Sequence, residues 1–348
     1  MTDIDEARND LGVAGLPTMS VVLPTYNAAS WLPATLAHLR DAISRSGWPD
    51  VQIVIVDDGS SDDTQAVLAA DDGKPTLTIV RQDNAGRFLA REAGLAAATG
   101  EMILFVDSRV HAHPESLRFV ADQLRFHPDR RIWNGHVVTA TGASPFSRFW
   151  EAITFIAWRR YLKQPRLMSY GVDEYDHFPK GTTFFLAPRQ MLLDAVSSFD
   201  SAFDDLRHAN DDTLMIRPLA ERNRINLSPD FSCTYHPRDS GRKFVAHSFH
   251  RGTVFVDGYY RPGGRFHRPL QAVMALTPVI VLAALVRPKF VVSGVVAGSA
   301  VLGAGAVAAG VPRRNAFALG VLAPVFAVAY GAGILRGMFL RTFRRGDS

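Results

Sequence analysis

Carboxylates, amides and arginines able to hold or transform a ligand recur in this 348-residue chain just after short apolar runs. Thr25, Tyr26 and Asn27 follow Met19–Pro24, and Asp57 and Asp58 follow Val51–Val56. Asn84, Gly86 and Arg87 come after Leu77–Val80, and Asp107 comes after Met102–Val106. Carboxylates accept N–H donors or take up a proton, and guanidinium groups pair with phosphate oxygens. A single such place would be turn chemistry, because Asp-Gly and Asn-x-Gly favour turns in their own right. Four of them point to one shared polar crevice.

The elements that must position these residues are legible. Val51–Val56 (VQIVIV) is a β-branched strand, and Met19–Pro24, Leu77–Val80 and Met102–Val106 are strands of the same kind. Between them Trp31, Leu32, Thr35, Leu36, Leu39 and Ile43 recur at helical spacing, Ser61 can open a second helix, and Arg87–Ala98 is a third, ended by Gly100. Strands alternating with helices imply βαβ units and a mostly parallel, Rossmann-like α/β sheet covered on both faces. In such sheets ligands bind beyond the carboxyl ends of the strands. A dinucleotide site would need G-x-G-x-x-G after the first strand. Pro24-Thr25-Tyr26-Asn27-Ala28-Ala29 has no glycine there.

Lys and Arg total 38 against 34 Asp and Glu, a net charge of +4 that is too balanced for a dedicated nucleic-acid binder, so no nucleic-acid partner is expected. One cysteine, Cys233, excludes an internal disulfide and a cysteine-based zinc site. Residues 1–17 are acidic and polar without the pattern of a secretory signal; they read as a disordered extension, with the polar part of the chain cytoplasmic.

In order along residues 19–255, these motifs resemble the family 2 glycosyltransferases, which have the nucleotide-sugar-binding GT-A fold. Pro24-Thr25-Tyr26-Asn27 resembles the opening P-x-Y-N, and Val56-Asp57-Asp58-Gly59-Ser60 the V-D-D-G-S after the second strand. Asn84-Ala85-Gly86-Arg87 with Ala90-Arg91-Glu92-Ala93-Gly94 resembles N-x-G…A-R-N-x-G. Phe105-Val106-Asp107 resembles the approach to D-x-D, and Gly181-Thr182-Thr183 the acceptor-side segment. Asn210-Asp211-Asp212-Thr213-Leu214 with Arg217 resembles E-D-x-x-L-x-x-R. The resemblance implies an inverting glycosyltransferase using a nucleotide-diphosphate sugar. Pro24, Tyr26, Asn27, Asp57, Asp58, Asn84, Gly86, Arg87, Arg91, Asp107 and Arg109 would then bind the donor. Asp57 or Asp58 would accept from the nucleotide base, and Arg87 and Arg91 would meet the base or the diphosphate. Asp211 would deprotonate the acceptor hydroxyl, with Asp212 the neighbouring alternative and Gly181, Thr182 and Arg251 on the acceptor side. The lesser alternative for the Asp pair is a helix N-terminus that simply favours negative charge.

Two departures stand out. The D-x-D position reads Asp107-Ser108-Arg109, placing an arginine where a Mg²⁺ or Mn²⁺ ligand is usual. Either Arg109 neutralises the diphosphate itself, or a divalent cation is held by Asp107 and His236, or activity is lost. Asn210 stands where the family usually has Glu.

Residues 18–240 are expected to form the GT-A domain and 241–268 an interfacial, acceptor-side linker. Three apolar stretches follow, at 270–286, 290–312 and 316–335, and then a basic tail at 341–348. No Asp or Glu occurs from Leu270 to Leu340. These stretches suit transmembrane helices of a multi-pass cell-membrane protein, although three spans would place Arg341, Arg344 and Arg345 against the positive-inside tendency. Phe146–Tyr161 reads as an interfacial helix or as an ordinary amphipathic one. The apolar end suggests membrane lipids as partners and a lipid-linked acceptor, such as a polyprenyl-linked saccharide of cell-envelope or polysaccharide assembly. Polyprenyl phosphate itself is the nearby alternative, and a non-catalytic nucleotide-sugar-binding subunit the alternative of another class.

Overall fold

The computed structural model describes residues 15–140, 144–237, 240–260 and 266–342; the extension up to residue 14 and the tail from 343 lie outside them. The chain runs through β1 (Met19–Thr25), α1 (Leu32–Ser46), β2 (Val51–Asp58), α2 (Thr64–Ala69), β3 (Leu77–Gln82), α3 (Arg87–Ala97), β4 (Met102–Val106), β5 (Val110–Ala112) and α4 (Ser116–Phe126). It continues through β6 (Trp133–Asn134), β7 (His136–Thr139), α5 (Pro145–Ala157), α6 (Arg159–Leu162), β8 (Met168–Tyr170), β9 (Phe184–Pro188), α7 (Arg189–Ser197), α8 (Asp211–Arg222), β10 (Ile225–Leu227) and β11 (Ser232–Tyr235). Four helices end it: α9 (Gly241–Tyr259), α10 (His267–Val286), α11 (Pro288–Ala308) and α12 (Arg313–Thr342).

The first unit, residues up to 138 with 165–199 and 211–236, is the α/β domain. Its main sheet has the order β3-β2-β1-β4-β9-β6-β10-β8, with the first four strands parallel and β9 antiparallel to both neighbours. β1, β2 and β4 are apolar along almost their whole length because helices cover both faces. Leu32, Leu36, Leu39 and Ile43 of α1 and Val120 and Leu124 of α4 pack on one face with Val21, Ile53 and Leu104. Gly47 ends α1 at φ 66°, a left-handed conformation that glycine adopts without strain. The ladder from β1 to β4 stops at Val22, whereas that from β1 to β2 continues to Thr25 opposite Asp57. β1 and β4 therefore part at their carboxyl ends, where the strand order reverses, and a ligand crevice is expected there. Pro24 lies beyond the last β4 pairing.

The second unit comprises 139–164, 200–210 and the chain from 237. The division differs from a single cut near 240, because α5 and the 200–210 segment pack with the C-terminal helices. Phe149 and Ala152 of α5 form a cluster with Phe244, Ala306, Val311 and Leu319, and Phe203 joins Val256, Leu270 and Ile334. The segment expected as a linker forms α9, whose Phe244 and Val256 are buried.

Among the described residues, α11 and α12 are long and apolar enough to cross a membrane. The first apolar stretch forms α10, 20 residues with Pro278 inside. The third forms a helix of 30 residues rather than the 20 read from hydropathy. Its added last turns carry Arg336 and Arg341, whose guanidinium groups bond His208 Nε2 at 2.8 Å and the Tyr260 carbonyl.

Candidate active site

The β1–α1, β2–α2 and β3–α3 loops are built by the motifs themselves. Asn27, at φ 49°, accepts at Oδ1 from Ser61 N at 2.8 Å and from Asp62 N at 3.3 Å, while its own N–H donates to Ser60 Oγ. Tyr26 beside it is half exposed at the mouth of β1. Asp57 is buried and accepts from Ser60 N at 3.0 Å. Asp58, also buried, accepts at Oδ1 from Gln82 Nε2 at 2.7 Å and Ala85 N at 2.8 Å, and at Oδ2 from Gly86 N at 3.0 Å. Asn84 Nδ2 donates to the Asp58 carbonyl. The Asp58 carboxylate thus serves to fold the loop that opens α3, which leaves Asp57 the less engaged of the two. Gly59, at φ 73°, lies so close to Asn84 that a Cβ would stand 2.7 Å from its backbone nitrogen.

From that loop α3 carries Arg87 and Arg91, one helical turn apart on one face. Arg91 is fully buried, and its guanidinium joins two carboxylates: Nη2 donates to Asp107 Oδ1 at 2.9 Å and Nη1 to Asp211 Oδ2. Arg87 reaches the other oxygen of Asp211 at 3.3 Å while half its side chain remains exposed. The end of β4 and the start of α8 thereby meet at one arginine, although Asp107 and Asp211 are far apart in the chain. The Asp211 carboxylate holds the Arg87 guanidinium above its ordinary value.

Asp212 is held differently. Thr182 donates to its Oδ1 through both backbone N–H, at 2.9 Å, and hydroxyl. Burial pushes the Asp212 carboxyl up, but the charges of Arg87 and Arg91 and the Thr182 bonds outweigh it and hold the group below the usual carboxylate range. The Gly181–Thr183 segment is itself anchored, with Gly181 N donating to Asn134 Oδ1 and Asp107 N donating to the Thr183 carbonyl.

After β4 the chain turns, Val110 N donating to the Asp107 carbonyl, and Arg109 lies over the Trp31 ring at 4.7 Å. His236 N donates to the Arg109 carbonyl, and its Nε2 faces His111 Nδ1 at 2.9 Å. His111 stacks on His38 with ring centroids 4.4 Å apart. Burial, with His236 and His38 nearby, pushes His111 down to about 4, so it is neutral at physiological pH.

A divalent cation prefers a cage of oxygens. Here Asp107 is already paired with Arg91, another arginine lies two residues on, and the His236 ring is engaged with His111. Among the described residues no group of three His, Cys, Asp or Glu side chains is arranged to hold a metal ion. The residues present do not fit a protein-held cation at this position.

His111, His38, Trp31 and the Thr182–Asp212 bond were not singled out in the sequence as partners in the site, because each pairing joins distant strands and helices. Arg251 belongs to the second unit, where it lies over Trp150 at 5.8 Å. Asn210 is also there, its N–H donating to Asp257 Oδ2 at 2.7 Å and its Nδ2 to the Val254 carbonyl. An amide can donate to that carbonyl, and the carboxylate usual at this position could not.

Residues 20–175 match the family model described as glycosyl transferase family 2. Validoxylamine A glucosyltransferase of Streptomyces hygroscopicus subsp. jinggangensis (strain 5008) is 34% identical over 107 residues, covering 30% of this chain and 25% of that protein. The undecaprenyl-phosphate 4-deoxy-4-formamido-L-arabinose transferase of Enterobacter sp. (strain 638) is 33% identical over 113 residues, 31% of this chain and 34% of that one. The matched segment thus spans only a quarter to a third of these relatives. The crystal structure of S. aureus TarS 1-349 in complex with UDP-GlcNAc superposes at a TM-score of 0.47 with 17% identity, covering 93% of this chain and 90% of that one. The family model runs from β1 through the motif loops of β2, β3 and β4, so residues 20–175 are a glycosyl transferase family 2 region.

Proposed function

We propose that this glycosyltransferase moves a sugar from a nucleotide-diphosphate sugar to an acceptor at a membrane surface, with inversion. The observation that carries this reading is Arg91, buried between Asp107 and Asp211, because it brings the donor end of β4 beside a candidate base. Asp57 accepts from the nucleotide base. Arg87 and Arg109 neutralise the diphosphate, two guanidinium groups doing what a cation would otherwise do. Asp211 takes the proton of the acceptor hydroxyl as it attacks the anomeric carbon opposite the leaving nucleoside diphosphate. Arg87, half exposed, turns to the arriving diphosphate and so releases one oxygen of Asp211 for that work. Asp212, held low and engaged by Thr182, is the weaker base and positions the acceptor-side segment.

A lipid-linked acceptor is supported by the apolar helices α11 and α12 and by the relatives named for undecaprenyl phosphate. Polyprenyl phosphate itself is the second reading. A phosphate is already ionised and needs no base, and the arginine-paired state of Asp211 favours that chemistry.

A thermal-shift panel of nucleotide sugars, each with Mg²⁺, Mn²⁺ or chelator, tests the donor site. One donor should raise the melting temperature equally in all three. A shift that appears only with metal would overturn the assignment of Arg87 and Arg109.

A further inference from the structure

α12 leaves one apolar face exposed. Phe317, Val321, Val325, Val328, Leu335 and Phe339 stand exposed along it at helical spacing, one stripe over nearly the whole helix. The opposite face, through Ala316, Leu319, Gly320, Gly333, Ile334 and Gly337, is buried. The two helices that help bury it from end to end, α5 and α9, carry charges. At the start of α12, Asn315 Nδ2 donates to Glu151 Oε2 of α5 at 2.8 Å, and Phe149 of α5 lies 4.9 Å from Phe326. Toward its end, Thr253 Oγ1 of α9 donates to the Gly333 carbonyl at 3.1 Å, and Arg341 donates to the Tyr260 carbonyl.

At 1.5 Å per residue, Asn315 and Arg341 are about 39 Å apart along the axis, more than the roughly 30 Å of a bilayer's hydrocarbon core. Were α12 to cross, α5 would have to lie on the far side from Arg336 and Arg341. Yet the chain enters this unit at Thr139 and leaves it at Gln164. The chain before 139 and after 164 belongs to the α/β unit, and α5, a helix about 20 Å long, has no length to cross and return. Sinking α5 and α9 into lipid instead would place Glu151 and Arg251 in hydrocarbon, at about 2.5–3.5 kcal/mol each. Basic residues flank the stripe at both ends, Arg313 and Arg314 before it and Arg341 after it, with no acidic residue between. Cations at both ends complement an anionic headgroup layer and oppose placing one end across the bilayer.

We infer that α12 does not span but lies along an anionic membrane surface, its Phe317–Phe339 stripe in the headgroup–acyl boundary and both its ends on the side that carries the α/β unit. This rests on the membrane association proposed above and is separable from it. The full chain is expressed in cells, and carbonate-washed membranes are assayed for it. Sealed vesicles of both orientations are then labelled with a membrane-impermeant maleimide on the single variants Arg314→Cys, Thr342→Cys and Ala66→Cys; Ala66 is exposed on α2, and the native Cys233 is buried. All three should label from the same side. Arg314→Cys labelling only from the side opposite Ala66→Cys would overturn the inference while leaving membrane association intact. A chain that washes off the membranes would overturn both. Lys289 lies outside α12, so labelling of Lys289→Cys reports separately on α11 and leaves this comparison unaffected.

Discussion

Arg91 holds the site together because its planar guanidinium can face two carboxylates at once. Replacing it by alanine would leave Asp211 buried beside Asp107 with only the half-exposed Arg87 against it. Removing one partner of a buried pair costs about 3–5 kcal/mol. Arg91→Ala should lower the unfolding free energy by about that much, read by urea denaturation with tryptophan fluorescence. Arg91→Lys should recover only part of it, since an ammonium cannot bridge both carboxylates; full recovery would show that charge alone matters. His111 makes a statement about pH. Its depressed value means that the unfolded chain binds a proton the folded one refuses. The stability it contributes is complete above its ordinary 6.5 and is lost as pH falls through about 4. The melting temperature should therefore fall across that window, and His111→Gln should flatten the slope. An unchanged slope would remove His111 as its source.

Among the elements, what the sequence made legible follows from period and length. β1, β2, β3 and β4 are continuous apolar runs punctuated by turn residues, so strands, helices and the polar strand ends could be read directly. β6, β8 and β10 are two or three residues long and have no period to read. Their pairing completes the sheet only through contacts between distant segments. The same limit applied to the site: Asp107 and Asp211 were legible as types in motifs, but the arginine that joins them was legible only as one motif arginine among several. It also applied to α12, whose hydropathy window ended at Leu335 although its helix continues to Thr342. Close approach explains the glycines there. A Cβ on Gly337 would stand 2.7 Å from the Thr253 carbonyl of α9, backbone that cannot swing aside. Gly337→Ala should therefore lower stability in detergent by about 1–3 kcal/mol, the range for overpacking a tight contact. A neutral effect would mean that the two helices are not held at this distance.

Over the whole molecule, the chain divides its work between an α/β unit that carries every residue assigned to donor and base, and a helical unit that carries the apolar surface. The 200–210 segment leads directly from the helical unit into Asp211, and its Asn210 and Ala202 N–H groups are both held by the buried Asp257 carboxylate. In the function proposed above, the chemistry rests on one carboxylate, that of Asp211. General-base catalysis contributes about 10²–10⁴-fold, so Asp211→Asn, which keeps the shape, separates binding from transfer. The decisive measurement is release of nucleoside diphosphate from the donor found by thermal shift, with membrane lipid extract supplied as acceptor, for the wild-type chain and Asp211→Asn, together with each protein's donor affinity. The wild-type chain should turn over, and the variant should lose at least about 10²-fold in rate while binding donor with unchanged affinity. Equal rates in the two proteins would contradict the assignment of Asp211 as the base.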